Sequence, residues 1–121
     1  MEKSENEKIL LVDDEEYLLK SLEVFLKNET NYEIFTASDG KEAIEIIDSK
    51  DIDLILTDLK MPGMSGVELM EYVKGKSEDV PVIAITAYAS LNSAVETLRV
   101  GAYDYLIKPY EFDIVLMVVE R

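Results

Sequence analysis

The 121-residue sequence contains no cysteine and no histidine, and only three prolines and five glycines. Without cysteine there is neither a disulfide framework nor a thiolate metal site. Without histidine, no imidazole serves as base, nucleophile or zinc ligand. The low Gly and Pro content, beside 48% hydrophobic and 31% charged residues, excludes a fibrous or disordered composition. The length fits one domain with its own core. Long apolar runs are also missing. The first one is broken at Asp13, too early for a signal peptide or a membrane span, so a soluble, cytoplasmic protein is expected. Positive charge is scarce as well: 12 basic against 26 acidic residues give a formal net charge of -14. Such a field repels phosphate backbones, so this segment is not expected to bind nucleic acid, and it favours cations and basic partner surfaces. Much of the acid does no more than keep helix faces solvated.

What is present is a regular alternation of short apolar runs and amphipathic stretches. KILLVD, from Lys8, precedes EEYLLKSLEVFLKN, in which Leu18, Leu22 and Phe25 recur at helical spacing with Leu19 and Leu26 beside them. The pattern returns as YEIFTA before DGKEAIEIIDSK, LILTD before SGVELMEYVKG, VIAIT before LNSAVETLRVG, and DYLIK before EFDIVLMVVER. Strands apolar on both faces require helices on both faces, which predicts an α/β fold with a doubly wound, five-stranded parallel sheet. Ser65 and Glu68 have the spacing of a capping box, and Gly75 and Gly101 stand where the third and fourth helices should stop. No linker or repeat divides residues 1–121. The end at Arg121, in or just after the last helix, leads us to expect a longer native chain.

In such a sheet, ligands gather outside the carboxyl ends of the strands. Those ends carry Asp13 and Asp14, Asp58, Thr86, and Lys108 followed by Pro109, whereas the second strand ends on Ala37 and Ser38 without charge, as suits an edge. With a flavodoxin-like order 2-1-3-4-5, strands one and three are neighbours and their three carboxylates converge. Three like charges stay ionised together only around a cation, and oxygen donors alone point to magnesium, with manganese as the alternative. Simpler readings exist for each residue: Asp13 and Asp14 at a helix N-terminus, Asp58 opening a turn, Thr86 as an ordinary strand residue, Lys108 on the surface. Those readings must place each residue independently at the same end of a different strand. One site accounts for all of them.

The segments LLVDDEE, LTDLKMPGMSG, AITAYAS and GAYDYLIKP, in this order and spacing, resemble the receiver domain of a bacterial two-component response regulator. The wording AYAS, AV and GAYDYLIKP further resembles receivers of nitrogen-regulation-type transcriptional activators. The resemblance implies a phosphorylation-activated switch with Asp58 as phosphoacceptor, Asp13 and Asp14 as the acidic pair around magnesium, and the backbone carbonyl of Lys60 as a further ligand. It also implies Lys108 as the cation that pairs with the phosphoryl group, a cis Lys108–Pro109 peptide, and Thr86 and Tyr105 as the switch pair. Such a protein catalyses its own phosphorylation and dephosphorylation and does not turn over external substrates. The implied partners are a sensor histidine kinase docking near Tyr17 and Leu18, an output domain in the same chain with ATPase and DNA-binding parts, and a second protomer on phosphorylation. Leu91, Val95 and Tyr105 are the expected contact patch. Lys60 and Tyr88, each two residues beyond a site residue, are expected to tune the lifetime of the phosphorylated form.

Three other readings stand beside this one. A haloacid-dehalogenase-type phosphatase wants Asp-x-Asp at the nucleophile, but the sequence reads Asp58-Leu59-Lys60. A flavin carrier of the same fold wants a Gly, Ser and Thr-rich phosphate loop after the first strand, where Asp13, Asp14 and Glu15 stand. A pseudo-receiver would keep the shape without the reaction.

Overall fold

The computed structural model describes residues 7–76, 79–87 and 91–120, with the side chains of 91–94 outside that description. Its elements alternate as the apolar pattern requires: β1 (Lys8–Val12), α1 (Glu16–Glu29), β2 (Glu33–Ala37), α2 (Gly40–Ser49), β3 (Leu54–Asp58), α3 (Gly66–Lys76), β4 (Val82–Thr86), α4 (Leu91–Val100), β5 (Asp104–Ile107) and α5 (Phe112–Val119). All strand pairs are parallel and the order is β2-β1-β3-β4-β5. β2 is an edge strand, and the winding reverses between β1 and β3.

Period-2 alternation divides the core in two. Leu10, Val12, Ile55 and Ala84 face Ala43, Leu69, Met70 and Val73 of α2 and α3. Ile9, Leu11, Leu56, Ile83 and Ile85 face Leu19, Leu22 and Leu26 of α1 and Val115 and Val118 of α5. The middles of β1, β3 and β4 are therefore apolar on both faces because both faces are covered. Each fully buried aliphatic side chain contributes roughly 1.5–3 kcal/mol, and twelve of the large side chains here are almost wholly inaccessible. That is enough to fix the strand ends in place. No helix among the described residues is long and apolar enough to cross a membrane.

Local signals behave largely as read. The capping box forms: the Ser65 N–H donates to Glu68 Oε1 at 2.9 Å, and the Glu68 N–H donates to Ser65 Oγ at 3.1 Å. Gly101 follows α4 with φ +106°, and its N–H donates to the Thr97 and Leu98 carbonyls. Two details differ. α3 continues through Gly75 to Lys76, because Gly75 does not take the positive φ of a helix stop. The buried stripe of α1 is centred on Leu19, Leu22 and Leu26, with Leu18 and Phe25 at its margins.

Gly66 matters for the site, since a Cβ there would collide with the Asp58 carbonyl oxygen and lie 2.7 Å from Leu59 Cα. Both obstacles are backbone, so they cannot rotate away. Gly66→Ala is expected to lower unfolding free energy by about 3 kcal/mol, the upper end of ordinary overpacking, whereas Gly75→Ala, with open space around it, should raise it by roughly 0.5 kcal/mol. Urea denaturation of both variants checks the pair.

Candidate functional site

The carboxyl ends of β1, β3, β4 and β5 bring the predicted residues together. β1 and β3 run in register to Val12 and Thr57, so Asp13 and Asp58 emerge side by side. Both are 5% exposed, while Asp14 faces solvent. One carboxylate oxygen from each of Asp13, Asp14 and Asp58 lies within 4.8 Å of the others. Backbone amides help to orient two of them: the Glu15 N–H donates to Asp13 Oδ1 at 2.9 Å, and the Lys60 N–H donates to Asp58 Oδ1 at 3.1 Å. Asp13 therefore does shape the approach to α1, but it is Glu15 that occupies the N-cap position.

Lys108 lies one residue beyond β5 and is tied to β4, its N–H donating to the Thr86 carbonyl at 2.8 Å. Its ammonium reaches back across the strand ends to Asp13 Oδ2 at 2.8 Å, Asp58 Oδ2 at 2.9 Å and Glu15 Oε1 at 2.7 Å. The Lys108–Pro109 peptide is cis. Thr86 is buried at the end of β4, and Tyr105 is half-buried on β5, packed against the α2–α3 side of the core. Tyr88 lies outside the described residues.

The titrating groups reflect this crowding. Burial raises the Asp13 carboxyl above its ordinary value, opposed by the hydrogen bonds from Lys108 and the Glu15 amide. Burial would lower Lys108, yet its hydrogen bonds to Asp13, Glu15 and Asp58 outweigh that and hold the ammonium above its usual range. Tyr110 is pushed up to about 12, first by burial and then by the negative charge of Asp13. Three carboxylates thus share the Lys108 ammonium, with Asp14 beside them. The remaining negative charge, presented by hard oxygen atoms only, suits a divalent cation of the magnesium or calcium kind.

Two features of the site were not read from the sequence. Glu15 is the third partner of Lys108, and its position directly after the acidic pair was the only available signal. Tyr110, with Glu15, Leu18, Ala87, Lys108 and Pro109, lines a groove of about 300 Å³ beside the carboxylates. Nothing in the spacing pointed to it. Of the expected contact patch, Val95 is 45% exposed and the Leu91 side chain is outside the described residues; Leu98 and Ile107, exposed nearby in the fold, were not foreseen.

Comparison with known proteins meets the same residues. A family model for the response regulator receiver domain matches residues 9–120. The sporulation initiation phosphotransferase F of Bacillus subtilis is 40% identical over 110 residues, covering 89% of this chain and 86% of that protein. The DNA-binding transcriptional regulator NtrC of Escherichia coli, a nitrogen-regulation-type activator, is 41% identical over 86 residues, covering 71% of this chain and 18% of the regulator. This chain spans about a quarter of the length of the first transcriptional regulators it matches. Among solved structures, the response regulator TrrA of Thermotoga maritima, in complex with Mg2+ and BeF, superposes with a TM-score of 0.83 at 35% identity, over 94% of this chain and 96% of that one. An acidic pocket at a switch point, a lysine bridging it from the fifth strand, and a family match across nearly the whole length leave one assignment: the chain belongs to the response regulator receiver domains of two-component signalling.

Proposed function

We propose that this domain is switched by a phosphoryl group accepted on Asp58. The observation that carries the reading is the meeting of Asp13, Asp58 and the Lys108 ammonium within hydrogen-bonding distance at the carboxyl edge of the sheet. A carboxylate nucleophile needs no general base, which fits a chain without histidine. An Asp58 oxygen forms the new bond to phosphorus. The bond from phosphorus to the donor breaks, and its electron pair leaves with the donor: with an imidazole nitrogen that takes up a proton, or with acetate when the donor is acetyl phosphate.

Phosphoryl transfer is catalysed mostly by positioning and by stabilising charge on the three equatorial oxygens. Asp13, Asp14, Asp58 and the Lys60 carbonyl are the residues that would hold magnesium, which when bound supplies positive charge to the clustered carboxylates and to a phosphoryl oxygen. Lys108 is placed to neutralise a second oxygen and the Thr86 hydroxyl a third. Lys60 at the second position after Asp58 leaves no acid there to protonate an alcohol leaving group, which argues against an ester phosphatase. Magnesium is preferred to manganese on abundance and ligand hardness.

The domain itself is read as cytoplasmic, and the donor in this reading is the phosphohistidine of a sensor kinase. Tyr17, 89% exposed, and the groove beside Leu18 offer it an apolar landing next to the nucleophile. The response follows from charge: phosphorylation adds about two negative charges and three acceptor oxygens to the end of β3. Movement of Thr86 toward them opens space that Tyr105 fills, and the face of α4, β5 and α5, with Val95 and Leu98 exposed, changes shape toward a second protomer or an ATPase and DNA-binding output region.

Three outcomes are expected. Incubation with acetyl phosphate and magnesium should give a single phosphoryl adduct by intact mass, absent without magnesium and absent in Asp58→Asn; an undiminished adduct in that variant would remove Asp58 from the role. Asp14→Ala should lose more than the roughly tenfold in magnesium affinity that outer-shell changes cost, with metal-free stability within about 0.5 kcal/mol of wild type as for other exposed sites; titration calorimetry and thermal melts measure the two. In Thr86→Ala, beryllofluoride with magnesium, which mimics the phosphoryl group, should still bind. The accompanying change in amide exchange over residues 91–105 should largely vanish, and a wild-type response there would place the coupling elsewhere.

A further inference from the structure

Glu15 holds the N-cap position of α1, yet its side chain makes no capping hydrogen bond. Short polar side chains such as Asp, Asn, Ser or Thr at that position turn to the free amides of the first helical turn, and the longer Glu15 does not. Here it turns the other way, to Lys108 Nζ at 2.7 Å, 93 residues along the chain. The Lys108 ammonium donates to Glu15 Oε1 and to Asp58 Oδ2 and forms an ion pair with Asp13 Oδ2, so three carboxylate oxygens crowd it at 2.7–2.9 Å. With three carboxylate oxygens this close to Nζ, an incoming phosphoryl oxygen reaches it by displacing one of them.

The three partners differ in how readily they can do so. The side chains of Asp13 and Asp58 are 6% and 8% exposed, and either would be left desolvated and unpaired. The Glu15 side chain is 61% exposed, so water replaces the lost contact at little cost. We infer that Glu15 is a positioning residue for phosphoryl uptake: it tethers the Lys108 ammonium in the resting domain and is the partner exchanged for a phosphoryl oxygen. This rests on the assignment of Asp58 as phosphoacceptor and adds a role that the acidic pair and the lysine do not contain. A contact made in the resting state and lost in the transition state slows the reaction. Glu15 therefore acts as a brake on phosphorylation, acting through Lys108.

Two variants separate the tether from simple charge. Glu15→Gln removes the charge, whereas Glu15→Asp keeps it on a shorter stem that cannot make the same contact with Lys108. Phosphorylation rates with acetyl phosphate at saturating magnesium are measured for both by intact mass, together with the affinity for beryllofluoride. Both variants should react faster than wild type, by about two- to fivefold given the modest strength of half-exposed ion pairs, and should bind beryllofluoride more tightly by a similar factor. A helix-capping role would change melting temperature and leave both readouts where they were. Wild-type rates in Glu15→Gln, or a faster Glu15→Gln beside an unchanged Glu15→Asp, would overturn the tether, the latter showing that only repulsion of the anionic donor matters. An adduct that forms in wild type but persists in Asp58→Asn would instead strike the phosphoacceptor assignment, and the inference with it.

Discussion

The arrangement around the Lys108 ammonium is the constraint on which the rest depends. It joins residues from the ends of β1, β3 and β5, and its own amide is bonded to the end of β4. Two nearly buried aspartates side by side would repel each other strongly, and burial alone already raises Asp13. The lysine makes the pair tolerable without cancelling it, since Asp13, Glu15 and Asp58 share its one positive charge. That incomplete compensation leaves a site attractive to a hard cation.

The sheet exists in its particular form to hold these groups. β1, β3 and β4 are covered on both faces, so their ends are fixed by packing against α1 and α5 on one side and α2 and α3 on the other. Asp58 is additionally confined by α3, whose first residue, Gly66, approaches its carbonyl too closely for any side chain and whose N–H donates to the Leu59 carbonyl. The capping box of Ser65 and Glu68 sets the start of that helix. Local capping, core packing and the position of Asp58 are thus one mechanical chain.

Away from the carboxylates, the chain of contacts leads from the Thr86 backbone through Lys108 to the groove lined by Tyr110 and Pro109, and through β5 to Tyr105. Thr86 and Lys108 share a backbone hydrogen bond, so the residue that carries the ammonium is tied both to the end of β4, where Thr86 lies, and to β5, which carries Tyr105. Among the described residues β5 is the other edge of the sheet, paired with β4. An edge strand has fewer restraints than a central one, which makes it the natural place for a displacement to appear.

The sequence by itself determined the element order, the doubly covered strands and the set Asp13, Asp14, Asp58, Thr86 and Lys108. These follow from short-range rules: apolar run length, helical period, and the residue at which each run stops. It also determined the cap at Ser65 and the stop at Gly101, whose chemistry is local. It misled at Gly75, where the helix had no need of a left-handed turn, and it named Leu18 and Phe25 where packing chose Leu19 and Leu26 as the centre of the stripe. Only the tertiary structure decided that Glu15 turns from its own helix to Lys108, and that Tyr110 walls a groove beside Lys108. Both depend on how far β5 lies from β1 in space, a distance set by the strand order and recorded in no single stretch of the chain.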